Sequence, residues 1–80
     1  MVIHNWLQHL AAVIRYHRKR AGLTQSQLAL MAGVGKTVVY DIEHGKPGTQ
    51  LKTLLAVAAT LNISLILDSP LMTQYEVDNA

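Results

Sequence analysis

The sequence predicts an all-α fold: four helices in one small domain, followed by a single β-strand near the C-terminal end. Three observations carry this. Apolar residues return at steps of three and four through residues 3–14 and again through 51–61, the period of a helix face and not of a strand. Glycines at positions 22, 33, 45 and 48 separate the helical stretches, as helix ends and turns require. Only "NISLILD" departs from that period, being apolar, β-branched and too short for a helix.

In the first helix Ile3, Trp6, Leu7, Leu10, Val13 and Ile14 form one broad apolar face. It closes on "RYHRKRAG", where Arg15, Arg18, Lys19 and Arg20 suit the negative end of the helix dipole and Gly22 is a natural C-cap. Two readings of this basic cluster stand: a solvated helix end, or a set of phosphate contacts. The second helix opens at "LTQSQL". Thr24 caps it, Gln27 reaches back as in a capping box, and Leu23 and Leu28 hold the positions of a hydrophobic staple. It runs to about Ala32, and Gly33 breaks it.

A third helix follows from about Gly35 to His44, with Val39 and Ile42 inward. Val38 and Val39 are poor helix formers, so tertiary packing must hold it. Gly45, Pro47 and Gly48 make a loop, and Thr49 is expected to cap a fourth helix with Leu51, Leu54, Leu55, Ala58 and Leu61 buried. Ile63–Leu67 is expected as the strand, stopped by Ser69-Pro70. The alternative is a continuation of the fourth helix or an irregular tail. The organisation expected is a domain over 1–62, a strand segment over 63–68 and a flexible tail over 69–80.

The chain is 80 residues long and has no cysteine, which removes disulfides, thiolate metal sites and cysteine nucleophiles. Half of its residues are hydrophobic, an excess for so small a surface-rich domain that points to apolar surface covered by another molecule. No apolar run approaches the roughly 20 residues needed to span a bilayer. The N-terminal stretch lacks the pattern of a signal peptide, so a cytoplasmic location is expected. The net charge of +2 is unevenly placed: residues 1–70 hold all seven Lys and Arg against Asp41, Glu43 and Asp68, while Glu76 and Asp78 lie in the last ten. A basic body of this kind suits a nucleic-acid partner.

"GVGKT" at 33–37 raises a nucleotide-binding alternative. A P-loop needs its first glycine five residues before the second, and that position is Leu30. It also needs a preceding strand, where this chain has a helical period. A helix-turn-helix accounts for every residue instead: Ala29 small at the helix crossing, Gly33 able to take positive φ, and Leu28, Val34, Val39 and Ile42 apolar inside. Enzyme chemistry finds no support. His4, His9, His17 and His44 are scattered, Asp41 and Glu43 face different directions, and no serine has an evident base. No cofactor, metal or catalytic residue is expected. Trp6 and Met31 are expected in the core.

From about Leu7 to Leu61 the chain resembles the Cro/repressor (Xre-type) helix-turn-helix family, the lambda-repressor-like fold. The residues that carry the likeness are "GLTQSQLALMAGVGKTVVYDIEHGK", with its Ile42-Glu43-His44-Gly45 signature, and "TQLKTLLAVAATLNIS". The resemblance implies that the third helix enters the major groove of double-stranded DNA. Lys36 and Thr37 would then meet base edges, and Tyr40 the groove wall or a phosphate. Gln25 would contact a phosphate or base beside them, with Thr24, Lys46 and Lys52 near phosphates. Asp41 either repels phosphate or accepts from cytosine N4. Glu43 is expected to anchor the loop and not DNA. Gly35 stands where the family often has Ser, and Asp41 where Arg is common.

A lone strand leaves ladder groups unpaired, and pairing with a second copy across a two-fold axis is the simplest remedy. Ile63, Leu65, Ile66 and Leu67 are therefore expected at a homodimer interface. A fourth helix running straight into "LNISLILD" is similar to the HipB-type antitoxins. That likeness implies a repressor of a palindromic operator that also neutralises a HipA-like serine/threonine kinase toxin. A stand-alone Xre-type regulator, or a module chiefly for protein interaction, is the alternative.

Overall fold

The computed structural model describes residues 5–80. Five helices follow in order: α1 (Trp6–Arg20), α2 (Gln25–Ala32), α3 (Lys36–Glu43), α4 (Leu51–Thr60) and α5 (Met72–Asp78). α3 lies against both α1 and α2, and α4 packs on α2. Ile14, Leu28, Ala29, Val39, Ile42, Val57 and Leu61 meet at their junction. Two of these helices have only eight residues, too few to be stable alone in water. Burial of these side chains, at about 1.5–3 kcal/mol for each large one, supplies what propensity does not.

The first four helices end alike. At Gly33 (φ 72°, ψ 32°) the Gly33 N–H donates to the Leu30 carbonyl at 3.3 Å and the Val34 N–H to Ala29 at 3.0 Å, a Schellman close. The same pair of bonds recurs around Gly22, Gly45 and Asn62, each at positive φ. A Cβ at Gly33 would meet nothing within 4 Å, so the demand for glycine there is one of backbone conformation alone. At Gly45 a Cβ would also strike the Gln8 side chain. The start of α2 is the expected capping box: Gln27 N–H donates to Thr24 Oγ1 at 3.0 Å, and Thr24 N–H to Gln27 Oε1 at 2.8 Å. Because a helix, α2, precedes Gly33, the P-loop alternative for "GVGKT" has no structural basis.

One polar contact crosses the core. From α1, Arg18 Nε donates to Glu43 Oε2 at 2.6 Å and Nη2 to Oε1 at 2.9 Å. Arg18 Nη1 donates to the Leu23 carbonyl at 2.8 Å, and Gln25 Nε2 to Glu43 Oε1 at 3.3 Å. The side chains are 11% and 1% exposed. Burial pushes the Glu43 carboxyl up, but the hydrogen bonds from Arg18 and Gln25 and the charges of Arg18 and Arg15 outweigh it, so its pKa lies below the ordinary value. The basic cluster of α1 thus divides: Arg18 is a buried structural group, and Arg15, Lys19 and Arg20 stay exposed.

Several expectations need correction. Trp6 is 52% exposed, since Leu10, Ala11, Ile14 and Arg18 take the inner face of α1 and leave the first turn at the rim; Ile3 lies outside the described residues. Met31 is 61% exposed, because the turn directs Leu28, Ala29 and Ala32 inward instead. In α4 the buried stripe is Leu54, Val57, Ala58 and Leu61; Leu51 sits in the uncovered first turn and Leu55 lies on the flank. Gln50, not Thr49, is the N-cap of α4, and its side chain makes no cap bond.

The C-terminal part departs most. Residues 63–69 form neither helix nor strand. Ladder bonds need a second strand, and among the described residues this chain offers none. The segment 69–80, expected as a flexible tail, contains α5, which has no buried residue. The Cα radius of gyration is 14.5 Å, above the ~12 Å of a compact domain of this length, in keeping with a C-terminal arm, residues 64–78, in which no residue is buried.

A depressed carboxylate pKa contributes stability that is complete above the unfolded value, about 4.3, and is lost as pH falls through the folded value. Urea melts across the acid range are therefore expected to show Glu43→Gln destabilised by about 3 kcal/mol at neutral pH. The variant's stability should also fall less steeply below about pH 4 than that of the parent. Superimposable acid limbs would contradict the role given to the pair.

Candidate nucleic-acid interface

The reading element is α3. Its inner side, Val39 and Ile42, is buried, and its outer side carries Lys36, Thr37 and Tyr40, all exposed. Steps of three and four place 36, 37, 40, 41 and 44 on one face. Gly35 caps this helix without a side-chain bond, and Gly35, Lys36 and Thr37 are exposed. The Schellman close before it and the Arg18–Glu43 pair behind it hold both ends.

Tyr40 has a partner that sequence reasoning missed. Its ring stacks on His44 at 3.8 Å with an interplanar angle of 22°, and the His44 Nδ1–H donates to the Tyr40 carbonyl at 2.7 Å. The i, i+4 spacing was visible in the sequence; that the His44 ring would lie over the Tyr40 ring was not. Asp41 Oδ1 lies 3.4 Å from Lys46 Nζ. Such an exposed pair adds little stability, but each charge partly cancels the other at the edge of the surface. A groove of about 270 Å³ beside it is lined by Val38, Asp41, Pro47, Gly48, Thr49, Gln50 and Thr53, between α3 and the start of α4.

On the other side of α3, Gln25 is half-buried at the start of α2 and is tied to Glu43. Thr24 is exposed; its oxygen accepts the cap bond, which leaves its O–H as a donor. Lys46 and Lys52 are exposed in the loop and on α4. Arg15, Arg18, Gln25, Glu43 and His44 line a cleft of about 130 Å³. The structure thus gathers Lys36, Thr37, Tyr40 and Asp41 on one helix face with Thr24 and Gln25 beside them, and adds Arg15 and His44. Leu65, Ile66 and Leu67 lie apart from this surface, on the exposed arm, whereas Ile63 is half-buried against the core cluster. Among the described residues no three His, Asp or Glu side chains come together as metal ligands, and no helix is long and apolar enough to cross a membrane.

Comparison with known proteins agrees with this geometry. A family model described as helix-turn-helix matches residues 14–67. The chain is 39% identical over 61 residues to the uncharacterized HTH-type transcriptional regulator y4mF of Sinorhizobium fredii (strain NBRC 101917 / NGR234), covering 76% of this chain and 80% of that protein. It is 36% identical over 56 residues to the ImmF control region 10 kDa protein of Bacillus phage phi105, covering 70% of this chain and 62% of that protein. Among solved structures it is similar to HipB in the HipA–HipB–O2–O3 complex, with a TM-score of 0.74, 26% identity, and 88% of this chain and 97% of that chain covered. It shares its fold with a mutant of the restriction-modification controller protein C.Esp1396I, with a TM-score of 0.66, 22% identity, and 99% and 94% covered. The chain belongs to the Xre-type helix-turn-helix family of DNA-binding transcriptional regulators.

Proposed function

We propose that this regulator is a homodimeric repressor that reads a palindromic operator through Lys36, Thr37 and Tyr40, and that it serves as the antitoxin of a HipA/HipB-like pair. The observation that supports the reading surface best is the single exposed face of α3, braced at both ends and free of any covering element among the described residues. Lys36 suits guanine O6 or N7 and Thr37 a base edge or a thymine methyl. Gln25, Thr24, Lys46 and Lys52 would contact the backbone, with Asp41 facing a cytosine beside them.

The dimer is supported by the arm. Ile66 and Leu67 are 85% and 83% exposed, and among the described residues no backbone partner satisfies residues 64–68. A second copy of Ile63–Leu67 would satisfy those groups and cover those side chains. Two reading helices would then meet half-sites about one helical turn, roughly 34 Å, apart. The antitoxin role is supported by the likeness to HipB, whose solved complex includes HipA as well as O2–O3. A HipA-like serine/threonine kinase is therefore the proposed protein partner. The relative y4mF favours a second reading, a stand-alone regulator.

In mobility-shift assays on DNA upstream of its own gene, Lys36→Ala is expected to weaken binding about ten- to a hundredfold and to relax the sequence preference; unchanged affinity would oppose the reading surface. Sedimentation at micromolar concentration should give a dimer that Ile66→Asp or Leu67→Asp converts to an 8.8 kDa monomer. A parent protein that is itself monomeric would refute the interface. Co-expression with a kinase-like protein from the adjacent reading frame should yield a co-purifying complex, and its absence would favour the stand-alone regulator.

A further inference from the structure

Four observations meet at the edge of the reading surface. His44 closes α3 and stacks on Tyr40. Its Nδ1 lies 2.7 Å from the Tyr40 carbonyl; a carbonyl only accepts, so Nδ1 carries the proton and the neutral ring presents Nε2 as a bare lone pair. The ring is exposed and lines the cleft with Arg15, Arg18, Gln25 and Glu43. The charges lining the cleft with it are Arg15 and Arg18 from α1 and Glu43 from α3, while α2 contributes only the uncharged Gln25; Asp41, one turn back on the same face of α3, is paired with Lys46. Arg18 and Glu43 spend their charges on each other through two hydrogen bonds. Arg15 makes no ion pair within 4 Å among the described residues.

We propose that Arg15, Gln25 and His44 form a clamp for a DNA backbone phosphate, and that His44 joins it only in its protonated form. The inference rests on the DNA-binding reading above and adds to it a site on the α1 side of α3. With Nδ1 committed to Tyr40, a neutral His44 would aim a lone pair at the phosphate oxygens, which repels. Uptake of one solvent proton at Nε2 turns that lone pair into a charged N–H donor, and the contact becomes a charge-assisted hydrogen bond. Arg15 supplies a charge that does not depend on pH. Because the bound state prefers the protonated ring, DNA affinity rises as pH falls through the histidine range, and the effect is independent of base sequence.

Fluorescence anisotropy with a labelled mixed-sequence duplex of about 20 base pairs at low salt tests this, since phosphate contacts carry no sequence information. Between about pH 8 and about pH 6 the parent should tighten about five- to tenfold. His44→Gln, whose side chain cannot take up a proton, should lose most of that gain. His44→Lys should bind tightly at both. His17 makes the same Nδ1 bond to the Val13 carbonyl at 2.7 Å but lies outside the cleft, so His17→Gln should keep the full response. Arg15→Ala should weaken binding at both pH values and lower the salt slope by about 1. Thermal melts by circular dichroism confirm that each variant is folded, and His44→Lys reports on the charge even if His44→Gln is destabilised. An equal pH response in folded His44→Gln and parent would overturn the clamp while leaving DNA binding intact. No binding to any duplex at low salt would overturn the clamp and the DNA-binding reading together.

Discussion

The Arg18–Glu43 pair is the constraint on which the rest of this small domain depends. A helix as short as α3 has no stability of its own, and its apolar contacts fix its depth in the core better than its rotation. Two parallel hydrogen bonds from a planar guanidinium fix rotation as well, because they are satisfied at only one setting of the last turn. The Schellman close at Gly33 does the same for the other end. What faces outward from α3 is decided by what is locked inward. Replacing such a pair with apolar residues can leave stability unchanged, but it would release Gln25, whose amide reaches the same carboxylate. The pair therefore ties a residue of the reading surface to the core.

The same arrangement explains how a protein of modest charge can face DNA. Its formal excess is only +2, yet one acid is buried in an ion pair, another is matched by Lys46, and Asp68, Glu76 and Asp78 lie on the arm. Toward the end of α1, Arg15, Lys19 and Arg20 stay exposed and in no ion pair among the described residues, so local positive charge is concentrated there although the whole is nearly neutral. Phosphate attraction acts over about one Debye length, 8–10 Å, so the local field matters more than the total. Part of the apolar excess, Leu65, Ile66, Leu67 and Leu71, lies on the arm away from the reading face, which lets a proposed dimer form without covering α3.

Much of this was legible in the sequence for physical reasons. The capping box at Thr24 and Gln27, the turn at Gly33, and the inward Leu28, Ala29, Val39 and Ile42 follow from local geometry, and local geometry is written in consecutive residues. The outward setting of Lys36, Thr37 and Tyr40 follows from the helical period once Val39 and Ile42 are inside. Arg18 was not legible: its neighbours are cationic too, and only the crossing of α1 with α3 tells which of them meets Glu43. Trp6, Met31 and Leu51 misled because apolar type marks a residue fit for burial, while the rims of short helices are left uncovered. Residues 63–69 are a different case. Their composition suits a strand, but strand pairing belongs to two segments, and the described residues of a single copy offer no second one.

Amide chemical-shift mapping on the ¹⁵N-labelled protein, titrated with duplex DNA, tests the central claim most directly. The account predicts the largest shifts at Thr24, Gln25 and Lys36 through Asp41, continuing to His44, with the arm from Ser64 to Asp78 unmoved. Shifts confined to the arm, or spread evenly over all helices, would contradict a reading face built on α3.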